Sequence, residues 1–353
     1  MNSLAVNLGD VTKIKTGKLD ANASSEDGEY PFFTCAQKPL RISSYSYDCE
    51  CVLIAGNGDL NVKYYEGKFD AYQRTYIVEV LPEKRSKLHL RYAYHFLETY
   101  LDTLREQSIG GIIKYIKMGN LTDAQIPLPP LAEQKRIAAI LDAADALRTK
   151  RREALAQLDA LLQSTFLTLF GDPRRQGTVG EIATSPKNLG ELTRIRTGKL
   201  DANAADDDGA YPFFTCAVKP LRINKPAFDC KAVLVAGNGD LNVKYYEGKF
   251  NAYQRTYVIE SLSEDLLEPR FLFAFLDLYV SELRKQAIGG VIKYIKLPYL
   301  ADAIIQLPLL KEQQRFTAIV ESIERQKTTQ RAHLAELNAL FAALQHRAFR
   351  GEL

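Results

Sequence analysis

The chain has 353 residues, 46% hydrophobic and 25% charged, with a formal net charge of +3. That length is too great for one comfortable hydrophobic core, so two or more domains are expected. No apolar run nears the roughly 20 residues that span a bilayer, and five cysteines do not make a disulfide framework in a chain this long.

The first residues, MNSLAVNLGDVTKIKTG, show no basic stretch followed by an apolar one. No signal peptide is read there, no membrane association is expected, and the cytoplasm is the expected compartment. Short β-branched runs follow. CVLIA (51–55) ends at Gly-Asn-Gly-Asp, and RTYIVEV (74–80) comes after it, the composition of strands separated by glycine turns. Residues 88–106 carry the spacing of an amphipathic helix. After Pro127, Pro129 and Pro130, neither Gly nor Pro occurs from 131 to about 169. Ile137, Ile140, Leu141, Ala144, Leu147, Leu155, Leu158, Leu162, Phe166 and Leu169 recur there at 3–4 spacing, which predicts one long helix with a coiled-coil-like seam.

A connector, GDPRRQGTVGEIATSPKNLG (171–190), then leads into a second copy of what came before. AGNGDLNVKYYEGKF stands at 55–69 and again, unchanged, at 236–250. Across 11–79 and 192–260 about 50 of 69 positions are identical. The match resumes at SIGGIIKYIKMGNL (108–121) and AIGGVIKYIKLPYL (287–300), then at IPLPPLAEQKRIAAIL (126–141) and IQLPLLKEQQRFTAIV (305–320). The second copy has its own amphipathic helix near 267–286. A second long helix is marked by Phe316, Ile319, Val320, Ile323, Leu334, Leu337, Phe341 and Leu344.

Each long helix would be roughly 55 Å long and cannot bury its stripe alone, so the two are expected to pair. A connector of about 20 residues reaches at most roughly 65–70 Å, nearly taut for a parallel pair and relaxed for an antiparallel one. The expectation is therefore α+β: two tandem mixed α/β domains joined by two long antiparallel helices, in a pseudo-twofold dumbbell. The boundaries are 1–130 for the first domain, 131–170 for the first helix and 171–190 for the connector. The second domain takes 191–309 and the second helix 310–353.

A core can be rebuilt from many apolar combinations, whereas a loop that reads another molecule cannot, so the unchanged polar repeat points to recognition. Two like readers related by a twofold suit double-stranded DNA, which has a twofold of its own. Lys18, Asn22, Asn57, Asp59, Asn61, Gln73 and Arg74 offer donors and acceptors for base edges, and recur as Lys199, Asn203, Asn238, Asp240, Asn242, Gln254 and Arg255. Tyr64 and Tyr72, with Tyr245 and Tyr253, can pack on sugar or base. Lys63, Lys114 and Lys117, with Lys244, Lys293 and Lys296, can position phosphates; Tyr65 and Lys68 belong to the same stretch. Any one of these residues also suits ordinary turn chemistry or strand packing. The net charge permits nucleic-acid binding without announcing it. Arg148, Lys150, Arg151 and Arg152 read first as a solvated helix face, with phosphate or subunit contact as the other reading.

Catalytic and metal motifs are missing. There is no G-x-x-x-x-G-K-[ST] loop, no G-x-S-x-G elbow and no H-E-x-x-H helix. Cys35 and Cys49 recur as Cys216 and Cys230, but Cys51 becomes Ala232, so no zinc ligand set repeats and reduced, packed thiols are expected. Asp59 with Glu66 and Lys68 has the residue types of a metal-dependent nuclease. That is one alternative; a scaffold binding protein rather than DNA is the other.

The proline–EQ junction IPLPPLAEQKRIAAIL, the preceding YPFFTCA and AGNGDLNVKYYEGKFDAYQRTYIV, and the duplication of the whole resemble the specificity (S) subunit of type I restriction–modification systems. The resemblance covers nearly the full chain. It implies two target-recognition domains that contact two short half-sites. The antiparallel helices would act as ruler and docking surface for two methyltransferase (M) subunits. It also implies restriction (R) subunits, no catalytic residue and no cofactor in this chain, and S-adenosylmethionine, ATP and Mg²⁺ in the partner subunits. The family commonly carries two dissimilar recognition domains, and here they are near copies. A bipartite palindrome is therefore expected. The half-sites would differ only where an unmatched position touches a base: 43–48 against 224–229, Gln37 against Val218, or Asp70 against Asn251.

Overall fold

The structure, a computed structural model, describes residues 4–175 and 180–353. Residues 1–3 of the N-terminal segment and 176–179 of the expected connector lie outside the described residues. The chain divides into two units, Met1–Arg152 with Ala332–Leu353, and Glu153–Arg331.

In the first unit the chain runs through β1 (Ala5–Asn7), β2 (Thr12–Thr16), β3 (Tyr30–Phe33), β4 (Leu40–Ile42), β5 (Tyr47–Ala55), β6 (Val62–Ala71) and β7 (Thr75–Val80). Then come α1 (Leu90–Gln107), α2 (Met118–Thr122), β8 (Gln125–Pro127) and the start of α3 (Leu131–Phe170). Six strands form one sheet in the order β2-β7-β5-β6-β3-β4, with β3 parallel to β6 and every other pairing antiparallel. β1 pairs separately with β8.

The apolar run in β5 follows from its central place. Side chains alternate across a strand, so Val52 and Ile54 enter one core while Cys51 and Leu53 enter another on the opposite face. The first core is closed by α1, whose Tyr92, Ala93, Phe96 and Leu97 are buried at helical spacing. Phe33, Phe69 and Ile77 complete the second. Cys51 sits in that second core as a free thiol, and burial pushes its pKa up, consistent with a packed side chain.

The second unit repeats the plan: β9 (Thr184–Asn188), α4 (Leu189–Leu192), β10 (Thr193–Thr197), β11 (Tyr211–Phe214), β12 (Leu221–Ile223), β13 (Phe228–Ala236), β14 (Val243–Ala252) and β15 (Thr256–Ser261). These are followed by α5 (Pro269–Gln286), α6 (Leu297–Ala301), β16 (Ile304–Pro308) and α7 (Leu310–Arg350). The sheet order β10-β15-β13-β14-β11-β12 matches the first strand for strand, and β16 pairs with β9 as β8 does with β1.

The two long helices have 40 and 41 residues, about 60 Å each at 1.5 Å per residue. In the first unit Arg136 Nη2 donates to Leu353 O at 2.6 Å and Arg148 Nε to Asn338 Oδ1 at 3.0 Å. In the second, Asp159 meets Lys327 at 2.8 Å and the Phe166 ring lies 5.5 Å from Phe316. Numbers rise along one segment as they fall along the other, so within each unit the segments run antiparallel. The helix that leaves the globule is α3 in the first unit and α7 in the second; the roles are exchanged.

The seam differs from a simple helix pair. Ile137 and Leu141 of α3 and Phe341 and Ala348 of α7 are buried in the first globule's core, and Phe349 packs on Tyr92 and Phe96 of α1. Each stripe is shared between the facing helix and the globule. Leu147, expected in the seam, is 54% exposed.

The proline–EQ motif acquires a physical role here. Gln134 is fully buried; its Oε1 accepts from His89 N, and its Nε2 donates to Lys87 O and Pro129 O. Gln313 does the same with Glu268 N, Leu266 O and Pro308 O. One amide side chain thus satisfies three backbone groups where the helix leaves the globule, groups that would be costly to bury unpaired.

Candidate nucleic-acid interface

The turn between β5 and β6, Gly56 to Asn61, is the centre of a set of joined loops. Gly56 N donates to Arg74 O at 2.8 Å, and a Cβ on Gly56 would stand 2.4 Å from that oxygen, so only glycine admits the approach. Gly58 has φ +68°, the left-handed region, and its N donates to Lys114 O at 3.0 Å. Ile116 N donates to Gly56 O at 2.9 Å. The turn is thereby locked to 72–74 on one side and to the 109–115 hairpin on the other.

Two more loops join the set. Gln73 N donates to Leu19 O at 2.8 Å and Gln73 Nε2 to Asp20 Oδ2 at 3.4 Å, which ties in residues 18–22. Asn61 Nδ2 donates to Cys35 O at 2.8 Å, which ties in residues 34–38. A cavity of about 470 Å³ opens among them, lined by Gln73, Arg74, Tyr115 and Lys117 with Thr16 and Tyr76. The second unit builds the same frame around Gly237 and Gly239, with a cavity of about 500 Å³ that Gln254, Arg255, Tyr294 and Lys296 help to line.

This frame gathers most of the predicted recognition residues. Lys18, Asn22, Asp59, Gln73, Arg74, Lys114 and Lys117 are exposed on the joined loops, with Asn57 and Tyr72 partly exposed beside them. Lys199, Asn203, Asp240, Gln254, Arg255, Lys293 and Lys296 are likewise exposed, with Asn238 and Tyr253 partly so. The Arg74 guanidinium lies 6.0 Å from the Tyr115 ring, which leaves its donors at the cavity mouth.

Three predicted residues of each copy stand elsewhere. Asn61 is only 6% exposed, and its amide is committed to Cys35 O and Asp59 O; Asn242 makes the equivalent bonds. Lys63 and Lys244 donate to those asparagines, and burial lowers both ammonium pKa values. They hold the turn from within, on the asparagines that carry it. Tyr64 and Tyr245 point toward the globule helix, where the guanidinium groups of Arg91 and Arg270 cover their rings at 4.4 and 4.7 Å. Lys68, at the far end of β6, stands over Tyr45 at 4.7 Å.

The nuclease alternative loses its geometry. Asp59 is in the turn, whereas Glu66 pairs with Glu50 and Lys68 with Asp48 well along the strand. Among the described residues no three His, Cys, Asp or Glu side chains are grouped to hold a metal ion.

One feature escaped the sequence reading. Ile112 is fully exposed and Ile113 is 62% exposed at the tip of the hairpin, and Val291 and Ile292 stand likewise. The unchanged Gly-Gly before them was the available signal.

A family model described as type I restriction modification DNA specificity domain matches residues 4–157 and again 184–339. The chain belongs to that family. Specificity subunits are the non-catalytic, DNA-recognising parts of type I systems, and each family match contains one of the two loop frames. The chain is 42% identical over 158 residues to the specificity subunit of the Escherichia coli type I restriction enzyme EcoDI, an alignment covering 45% of this chain and 34% of that one. It is 25% identical to the specificity subunit of the Methanocaldococcus jannaschii enzyme MjaVIII, over 90% of this chain and 85% of the relative. A crystal structure of a type I restriction–modification S subunit from Mycoplasma genitalium superposes with a TM-score of 0.60 at 18% identity, covering 99% and 96% of the two chains, a likeness of fold. No helix among the described residues is long and apolar enough to cross a membrane.

Proposed function

We propose that this chain is the sequence-reading subunit of a type I restriction–modification enzyme, and that it recognises a bipartite double-stranded DNA target with reverse-complementary half-sites. The observation that carries this reading is the repetition of one loop frame, with the same exposed Asn, Asp, Gln, Arg and Lys side chains, in both units. Side chains of these types discriminate base edges in the major groove, and the lysines beside them suit phosphates.

The long helices serve as docking surface for two M subunits, with R subunits joining the assembly. Leu147 and Leu340 are 54% and 51% exposed beside a cleft of about 670 Å³ in the first unit, which supports an occupant there. S-adenosylmethionine, ATP and Mg²⁺ belong to those partners, and the complex works in the cytoplasm. The test is a genome-wide methylation map from cells expressing this chain with its cognate M subunit. A new bipartite motif is the expected result, its halves reverse complements apart from any base read at a position where the two modules differ. Unrelated or directly repeated halves would refute the symmetry, and no new motif despite an active M subunit would refute DNA specificity itself.

A further inference from the structure

Several of the positions at which the two modules differ are placed by the structure away from base-reading roles. Asp70 is 1% exposed, accepts from Ser46 Oγ and holds Ala71 N; Asn251 holds Ala252 N and donates to Lys225 O. Both are internal braces. The stretches 43–48 and 224–229 precede or open β5 and β13, nine-residue strands that place them about 30 Å from the Gly-Asn-Gly-Asp turns. Within the joined loops, Ile112 and Met118 exchange one apolar side chain for another, Val291 and Leu297. Ser108, which becomes Ala287, bonds Arg105 O at its own helix end.

Gln37 and Val218 are different. Both are exposed, Val218 by 71%, in the loop tied to the turn through Cys35 and Cys216. Gln37 Nε2 donates to Asp59 Oδ2 at 3.4 Å, so an amide stands against the carboxylate. Val218 has nothing to donate. Asp240 is met instead by Arg284 at 3.2 Å, while the corresponding Arg105 turns to Asp102. The same aspartate thus has a neutral neighbour in one module and a cationic one in the other.

We infer that residue 37 in the first module and 218 in the second is a position at which the modules read unlike bases, so that the target departs from a palindrome at that base pair. This rests on the DNA-reading function proposed above. A glutamine amide offers the paired donor and acceptor that match adenine N7 and N6, whereas valine offers hydrocarbon, which at most touches a thymine methyl. The first module therefore discriminates at this pair by roughly ten- to hundredfold, and the second does not.

The experiment is base-resolved methylation mapping of cells carrying the full chain with its M subunit, as wild type, Gln37→Val and Val218→Gln. The wild type is expected to specify one base in one half-site where the other half-site is degenerate. Gln37→Val makes both halves degenerate there, and Val218→Gln makes both specific. The variants sit on an exposed loop, and the second adds an amide instead of removing one, so misfolding cannot imitate its gain. A symmetric wild-type motif left unchanged by both variants overturns the inference while keeping the function. A wild type with no motif overturns both.

Discussion

Replacing Gln134 by alanine tests whether the proline–EQ motif is a structural joint. The substitution strips His89 N of its acceptor and Lys87 O and Pro129 O of their donor, all at a side chain with no exposure. Unsatisfied buried groups cost about 1–3 kcal/mol each, and with water relieving part of the loss a total of about 3 kcal/mol is expected. At roughly 2–4 °C per kcal/mol for a unit of this size, the melting temperature of the first unit falls by about 6–12 °C. Gln134→Glu keeps the acceptor but sets a carboxylate against two carbonyls, so it does not rescue. Calorimetry on the full chain reads the effect, and Gln313→Ala supplies the counterpart in the second unit, where two transitions are resolved if the units melt separately. A shift below about 1 °C for both alanine variants would refute the joint.

Four further outcomes are expected. Burial by itself would raise the Asp142 carboxyl, but hydrogen bonds from Arg91 and His95 outweigh it and hold the pKa below the usual range. A depressed pKa contributes stability above the unfolded value near 4 and loses it as pH falls through the folded value, so acid denaturation of the first unit should be blunted in Asp142→Asn. Arg74→Ala with Arg255→Ala should cost about 1–3 kcal/mol per half-site for the cognate sequence and relax one base position. Lys117→Ala with Lys296→Ala should instead weaken all sequences alike and flatten the salt dependence; anisotropy titrations with the M complex over a salt series separate the two. Finally, Gly56→Ala must displace Arg74 O and should abolish motif methylation. Gly58→Ala meets no atom within 4 Å, costs roughly 1–2 kcal/mol of left-handed strain and should retain it.

Local pattern and repetition carried much of the fold. The strands CVLIA and RTYIVEV, the helices near 88–106 and 267–286, and both long helices were legible because their periodicity is written along the chain. The recognition loops were legible only as a group. Asn57 and Asn61 are four residues apart in one glycine-rich turn, yet one is partly exposed and the other buried. The difference comes from Cys35 O, which captures the Asn61 amide across 26 positions of sequence. Tyr64 stands apart from the joined loops for the same kind of reason, since Arg91 reaches its ring from another element.

The amino-acid sequence by itself determined the duplication, the element types, the family resemblance and the polar character of the repeated loops. All of these are properties of one stretch, or of two stretches compared letter by letter. Tertiary structure alone decided that five loops are joined around Gly56, that Gln134 and Gln313 fasten helix to globule, and that Gln37 stands beside Asp59 whereas Asp240 meets Arg284. Those contacts link residues far apart in the chain, and no local preference for strand, turn or helix encodes which distant backbone group a side chain will meet.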